Sequence, residues 1–185
     1  MTASILFWMA ARPGAEAYAA AQARLGKLRA DERSSIRGLA VVDYSRPGWH
    51  RRLALYDAAG DLVGTYLVAH ARNSGDYVTA VSFSNELDSN QSSLGLYRIL
   101  DLYDGDHGIA LRLEGLDPGL NDQAFARDIV IHGADYVSLG SLLENILSGN
   151  GAGVGRSLGC PAVSRDAMPI VAEVLAQGGY LYIHH

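Results

Sequence analysis

Leu39-Ala40-Val41-Val42-Asp43-Tyr44 is a short apolar run rich in valine, and the turn-forming Ser45-Arg46-Pro47-Gly48 closes it. The same texture repeats down the chain and decides the fold class: strand-length apolar runs are cut by Gly, Pro, Asn and Asp. Arg52 to Tyr56 and Leu62 to Val68 flank Ala58-Ala59-Gly60-Asp61, which reads as a hairpin turn. Gly95 to Leu100 and Ile109 to Leu113 are further strands, separated by Tyr103-Asp104-Gly105-Asp106. Asp128 to His132 and the closing Tyr180 to Ile183 complete the set.

Helices are fewer. Pro13 to Arg33 reads as a helix, with Pro13 at a first-turn position and Tyr18, Ala21, Leu25 and Leu28 at helical spacing. Ser141 with Glu144 makes a capping-box pattern before Ile146 and Leu147, and Gly149 stops that helix. Asp166 to Gln177 places Ile170, Val171, Val174 and Leu175 on one face, ahead of Gly178-Gly179. The expectation is a mainly β domain with peripheral helices, a sandwich or barrel-like body. Its division is a helical segment over 1–36 followed by the main domain over 37–185.

The chain has 185 residues, of which 49% are hydrophobic and 19% charged, so a packed core is expected rather than disorder. At this size a single domain hides roughly 70% of its unfolded surface. A net charge of −5 provides no diffuse basic field, which argues against nucleic acid or anionic lipid as partners. No apolar run approaches the ~20 residues of a membrane span, Ile5 to Ala11 being the longest near the start. No secretory signal is legible there. The one cysteine excludes an internal disulfide framework and any multi-cysteine zinc site. Histidines and carboxylates show no zinc spacing either, so neither metal nor cofactor is implied.

Gly149-Asn150-Gly151-Ala152-Gly153-Val154-Gly155 invites a phosphate-loop reading, but Arg156-Ser157 follows where Gly-Lys-Ser/Thr is needed. It is read as a turned loop. Beyond it, Ser157-Leu158-Gly159-Cys160-Pro161 carries the lone thiol. A single cysteine is also simply a small buried apolar side chain. Here Gly159 permits close approach to the sulfur, successive amides can converge on one point, and Pro161 stiffens the exit. A nucleophilic thiol needs a base, because only a few per cent is ionised at neutral pH. Among His50, His70, His107 and His132, the last has the best context, at the end of Ile129-Val130-Ile131 and before Gly133. The plain alternative is a satisfied core histidine, and His70, after Leu67-Val68-Ala69, is the main competitor.

These residues resemble the catalytic domain of the murein L,D-transpeptidases of the YkuD type, in the variant whose cysteine is followed by Pro-Ala, here Pro161-Ala162. The ordered blocks that carry the resemblance are Val42-Asp43-Tyr44, Val68-Ala69-His70, Asn73-Ser74-Gly75, Phe83-Ser84-Asn85, Gln91-Ser92-Ser93-Leu94-Gly95, Leu113-Glu114-Gly115-Leu116 and Ile129-Val130-Ile131-His132-Gly133. Together they span roughly Leu39 to Ile183. The resemblance implies Cys160 as nucleophile, His132 as its base and the Gly133 carbonyl as the group orienting the imidazole. It also implies an oxyanion hole from the Gly159 and Cys160 amides. Arg156 suits a peptide carboxylate, although a surface arginine would look the same. Ser157, His70, Tyr97 and Asn85 are candidate substrate contacts, with core packing or loop packing as the plain alternative for the last two.

Three departures from the pattern stand out. Leu158 occupies the place of a second histidine, Ala71 follows His70 where glycine is usual, and 28 positions separate His132 from Cys160 with a helix inserted. The implied activity is cysteine-dependent acyl transfer between peptidoglycan stem peptides, donor and acceptor, at a periplasmic or exported location. Hydrolysis on the same scaffold, or a wall-binding module with an inert buried thiol, are the rival readings. Nothing in the sequence sets an oligomeric state.

Overall fold

The computed structural model describes residues 13–105 and 108–185; His107, one of the candidate histidines, lies outside them. Eight strands form one sheet: β1 (Gly38–Asp43), β2 (Leu53–Asp57), β3 (Leu62–Tyr66), β4 (Gly95–Gly105), β5 (Gly108–Gly115), β6 (Val130–Gly133), β7 (Ala162–Val163) and β8 (Gly179–His184). Their order is β3-β2-β1-β8-β4-β5-β6-β7. Pairing is antiparallel except at β1–β8 and β6–β7, which are parallel. The sheet curls toward closure. Just beyond β3, the Ala69 amide donates to the Ala162 carbonyl of β7 at 2.8 Å, joining the two ends of the strand order. The body is therefore barrel-like, a single curled sheet and not two stacked ones.

Period-two alternation sorts each strand between two faces. Ala40 and Val42 of β1, Leu181 and Ile183 of β8, Tyr97 and Ile99 of β4, and Leu111 and Leu113 of β5 share the inner core. Leu39, Val41, Leu96 and Tyr180 face the other way, into a second cluster with Ala17, Ala21 and Leu25. β1 is buried along its whole length, which is why its sequence is a continuous apolar run.

Helices cover both faces. α1 (Ala15–Leu25) packs on the outer cluster, followed by the short α2 (Ala30–Ser34). The single helix expected over Pro13 to Arg33 is thus two, interrupted after Leu25 at Gly26, a residue with weak helical preference. α3 (Leu139–Leu147) joins β6 to β7, and α4 (Met168–Leu175) packs its buried Val171, Ala172 and Leu175 into the inner core. The cap of α3 is Ser138, whose hydroxyl accepts from the Ser141 amide at 3.1 Å; the expected cap at Ser141 is displaced by one turn. β4 runs on through Tyr103 and Asp104 to Gly105, and β5 starts at Gly108, so the ribbon is longer than expected and most of the expected turn at 103–106 is strand. The two-residue β7 had no sequence signature.

A buried polar network fixes the segment leaving β3. Arg52 is fully buried without a carboxylate partner among the described residues. It donates to the Val68 carbonyl, to the Arg46 carbonyl and, at 2.6 Å, to His70 Nδ1, and stacks over the Tyr44 ring. His70 Nε2–H then donates to the Asp76 carbonyl at 2.8 Å. Burial, reinforced by the Arg52 charge, pushes His70 down to about 4. In the unfolded chain it returns to its ordinary 6.5, so between these values the unfolded state binds the extra proton. Stability is therefore full above pH 6.5 and is lost as pH falls toward 4. Urea unfolding across that window should show a decline of up to about 3 kcal/mol, flattened in His70→Gln.

Candidate active site

The nucleophile candidate enters the sheet through its smallest pairing. β7 runs parallel to β6 with His132 opposite Ala162 and Gly133 opposite Val163. Cys160 lies two residues upstream of Ala162, level with Val130, so it is displaced from His132 by about 6.6 Å along the strand direction. The sulfur contacts the Asp128 carbonyl at 3.7 Å, just before β6 begins. The backbone amides of Val130 and of Cys160 itself are also directed at it. Cys160 is half-buried and unbridged. Burial pushes its thiol up, the Asp128 carboxylate adds to that, and the two amides and the Arg127 guanidinium work in the opposite direction.

His132 is buried at the end of β6. Its Nδ1 donates to the Gly133 carbonyl at 3.1 Å, an assignment that leaves Nε2 as the basic nitrogen. The interaction expected of Gly133 is therefore present.

The turn carrying the thiol is over-determined. Gly159 has φ +148°, and a Cβ there would meet Ile129 Cδ1 at 2.6 Å, so only glycine suits the position. Its amide donates to Ser157 Oγ at 3.3 Å, and its carbonyl accepts a long contact from Ser92 Oγ at 3.5 Å. Ser157 Oγ donates to the Cys160 carbonyl at 2.6 Å. The Ser157 amide donates to the His70 carbonyl and its own carbonyl accepts from the Arg72 amide. In this arrangement the Gly159 amide is satisfied within the turn, and the Cys160 amide is directed at the sulfur.

The blocks that looked scattered in sequence meet around this turn. Ser92 Oγ accepts from the Ala71 amide and Ser74 Oγ from the Ser92 amide, at 3.1 and 2.9 Å. The other candidates all have partners within the fold, three of them fully in its interior. Tyr97 is fully buried, its hydroxyl tied to Ser93, so it does not line an open groove; the inward register of β4 decides this. His70 is spent on Arg52 and Asp76. Ser157 is buried and holds the turn together. Asn85 clasps Asp122 and the Gln123 amide. Arg156 lies half-buried against the Tyr77 ring and donates to the Arg72 and Gly75 carbonyls.

Two neighbours escaped the sequence reading. Tyr136, pushed up to about 12 by burial, senses the sulfur's charge from the start of the β6–α3 loop. Arg127, in the turn before β6, does so as well. Neither has a local motif, since both reach the site only through folding. A cleft of about 270 Å³ lies alongside, lined by Leu87, Asp88, Asn90, Arg127, Asp128 and the exposed Leu158. Asp88, Asn90 and Asp128 are the non-glycine residues with positive φ among those described.

The L,D-transpeptidase from Mycobacterium smegmatis is 12% identical, with a TM-score of 0.49 over 80% of this chain and 59% of that one. The L,D-transpeptidase (residues 123-326) from Xylanimonas cellulosilytica is 16% identical, with a TM-score of 0.43 over 92% of this chain and 70% of that one. L,D-transpeptidase 3 from Mycobacterium tuberculosis, solved with a faropenem-derived adduct, is 13% identical, with a TM-score of 0.47 over 80% and 60%. The chain thus spans about 59% of the length of the first of these structures. No curated protein matches it in sequence. The family model of the L,D-transpeptidase catalytic domain, in its YkuD_2 form, matches residues 11–184, and the chain belongs to that family.

Proposed function

We propose that the domain is an L,D-transpeptidase acting on peptidoglycan stem peptides outside the cytoplasm. The observation that carries this reading is the β6–β7 pairing, which sets the chain's one thiol just upstream of the strand paired with β6, whose His132 imidazole is already oriented by its neighbour's carbonyl. Family membership supplies the substrate class. Among the described residues no helix is long and apolar enough to cross a membrane. The fold's division is read as a catalytic part over 37–185 with α1, from the 1–36 segment, covering the outer face.

In the proposed reaction His132 takes the Cys160 proton, and the sulfur attacks the carbonyl joining a diamino acid to the next residue of the donor stem. Negative charge gathers on the carbonyl oxygen, where main-chain amides of the 159–160 turn are the candidate donors. Using them requires the Gly159 amide to exchange its long bond to Ser157 for the oxyanion. The C–N bond then breaks, His132 returns the proton to the leaving amine, and a thioester remains. An amine of the acceptor stem attacks next, gives its proton to His132, and expels the sulfur. Arg156, with donors not used by the two carbonyls, is the proposed contact for a stem carboxylate.

Burial holds Cys160 above the ordinary thiol range, so the free enzyme should carry thiol at neutral pH. Alkylation by iodoacetamide should accordingly be slow near pH 7 and rise steeply through the alkaline range. Incubating purified disaccharide-peptides with the protein and weighing the products tests the reaction itself. Cross-linked dimers are expected, and shortened monomers alone would point to hydrolysis. Cys160→Ala should abolish the acyl-enzyme mass shift while leaving the melting curve unchanged. Gly159→Ala should cost roughly 1–3 kcal/mol in thermal unfolding and lose turnover, because both φ and Ile129 oppose a Cβ.

A further inference from the structure

Arg127 is a half-buried cation with an unusual set of partners. Its Nη1 donates to the Ser84 carbonyl at 2.8 Å and approaches Ser93 Oγ at 3.4 Å. Its Nη2 donates to the Gln91 carbonyl at 2.6 Å and to Ser89 Oγ at 3.2 Å. All four acceptors are neutral, and no carboxylate pairs with this guanidinium among the described residues. Arginines elsewhere in the chain do find them: Arg24 with Asp117, Arg98 with Glu32 and Glu114, Arg165 with Asp135. A guanidinium withdrawn from water without a counter-ion carries a desolvation cost that an approaching anion would relieve.

The position of this charge matters. Nη2 lies 3.6 Å from where a Cβ of Gly159 would be, on the underside of the thiol-bearing turn, and the Gln91 carbonyl it holds lies equally close to that point. The guanidinium thus ties the 84–93 loop to the segment that leads into β6, against the very residue whose conformation sets the sulfur. Behind it, Ser93 Oγ passes the contact on to the buried Tyr97 hydroxyl at 2.7 Å, which anchors the assembly in the core. The charged and titratable groups around the sulfur are His132 on β6, Asp128 before it, Tyr136 after it, Tyr44 after β1, and Arg127; around Arg127 they are Tyr97, Glu86, Asp88, Asp128 and the thiol. Two arginines stand here: Arg112 of β5 is paired with Asp128 at 3.7 Å, whereas Arg127 has no such partner among the described residues and lowers the cost of charging the sulfur.

We propose that Arg127 is a positioning residue for the acyl-transfer site, clamping the 84–93 loop under the Gly159 turn and stabilising Cys160 when its sulfur is anionic. This rests on the reading of Cys160 as the nucleophile. Two properties are combined in one side chain: a planar fork that satisfies several carbonyl and hydroxyl oxygens, and a fixed positive charge. Separating them gives the test.

Arg127→Met removes both properties, and Arg127→Lys keeps the charge while losing the fork. The rate of iodoacetamide alkylation against pH reports the sulfur directly, without substrate. Its midpoint should rise by about one pH unit in Arg127→Met, making modification near pH 7 about tenfold slower, and by less than about 0.3 unit in Arg127→Lys. Turnover of disaccharide-peptides should fall about tenfold in the lysine variant, through kcat more than KM, because the loop is no longer clamped. A folded methionine variant with the wild-type midpoint would overturn the proposal, as would a lysine variant whose midpoint rises as far as methionine's. If Arg127→Met does not fold, the lysine variant decides alone: wild-type turnover, or a midpoint raised by a full unit, overturns the assignment. Should the unmodified protein show no activity on any muropeptide, the functional reading fails, while the alkylation profiles still report whether Arg127 governs the sulfur.

Discussion

Two parallel residue pairs, His132 with Ala162 and Gly133 with Val163, hold the thiol-bearing turn to the sheet. So short a ladder gains little from its own hydrogen bonds. It persists because its surroundings confine it: the Ala134 amide donates to the Val163 carbonyl on one side, and Ala69 closes on Ala162 from the far end of the strand order. Val163 is buried in the inner core and Ala162 in a smaller cluster with Ala69, Ala134, Val137 and Val154. The closure of the curled sheet and the placement of the proposed nucleophile are thus one event. Loosening either would let the Gly159 turn drift relative to the imidazole.

Around that seam the protein uses cations in an uncommon way. Arg52 and Arg127 both satisfy their donors on neutral oxygen or nitrogen, and neither pairs with a carboxylate among the described residues. For Arg52, burial lowers the guanidinium to about 10, against the pull of Tyr44 and Asp43, and its bond to His70 selects the neutral tautomer that accepts at Nδ1. The 68–76 segment is thereby held in place, and Ser157 bonds to it through the His70 carbonyl and the Arg72 amide. For Arg127 the setting is more open, and its charge acts on the sulfur at longer range while its donors hold Ser84, Ser89 and Gln91. Each arginine fixes a different loop, and the two loops meet through the Ser74–Ser92–Ala71 hydrogen bonds.

Much of this was legible in the chain. The valine-rich run of β1, the glycine-bounded strands and the His132-Gly133 pair each follow from local chemistry, and the ordered blocks identified the family; Gly159 reads in sequence as room beside the sulfur, and its clash with Ile129 emerges only in the fold. The candidate substrate contacts were less legible. Tyr97, His70, Ser157 and Asn85 are polar residues within motif-like blocks, which reads as exposure to ligand. In the fold Tyr97, His70 and Ser157 are buried supports of the site, because a short two-residue strand and a strained turn need many side chains to hold them, while Asn85 is only partly buried and bonds to Asp122 and the Gln123 amide at the surface. β7 itself left no trace in sequence, since two small apolar residues have no periodicity, and Arg127 belongs to no motif.

The sequence by itself determined the alternation that builds the sheet, the glycine that permits the thiol turn and the histidine–glycine step that orients the imidazole, because each depends on residues adjacent in the chain. Only the tertiary structure decided which polar side chains are buried as supports, which arginines are spent on neutral acceptors, and how the sheet's ends meet. Those outcomes depend on burial and on contacts between residues tens of positions apart, where the energy of a side chain is set by neighbours that local order does not name.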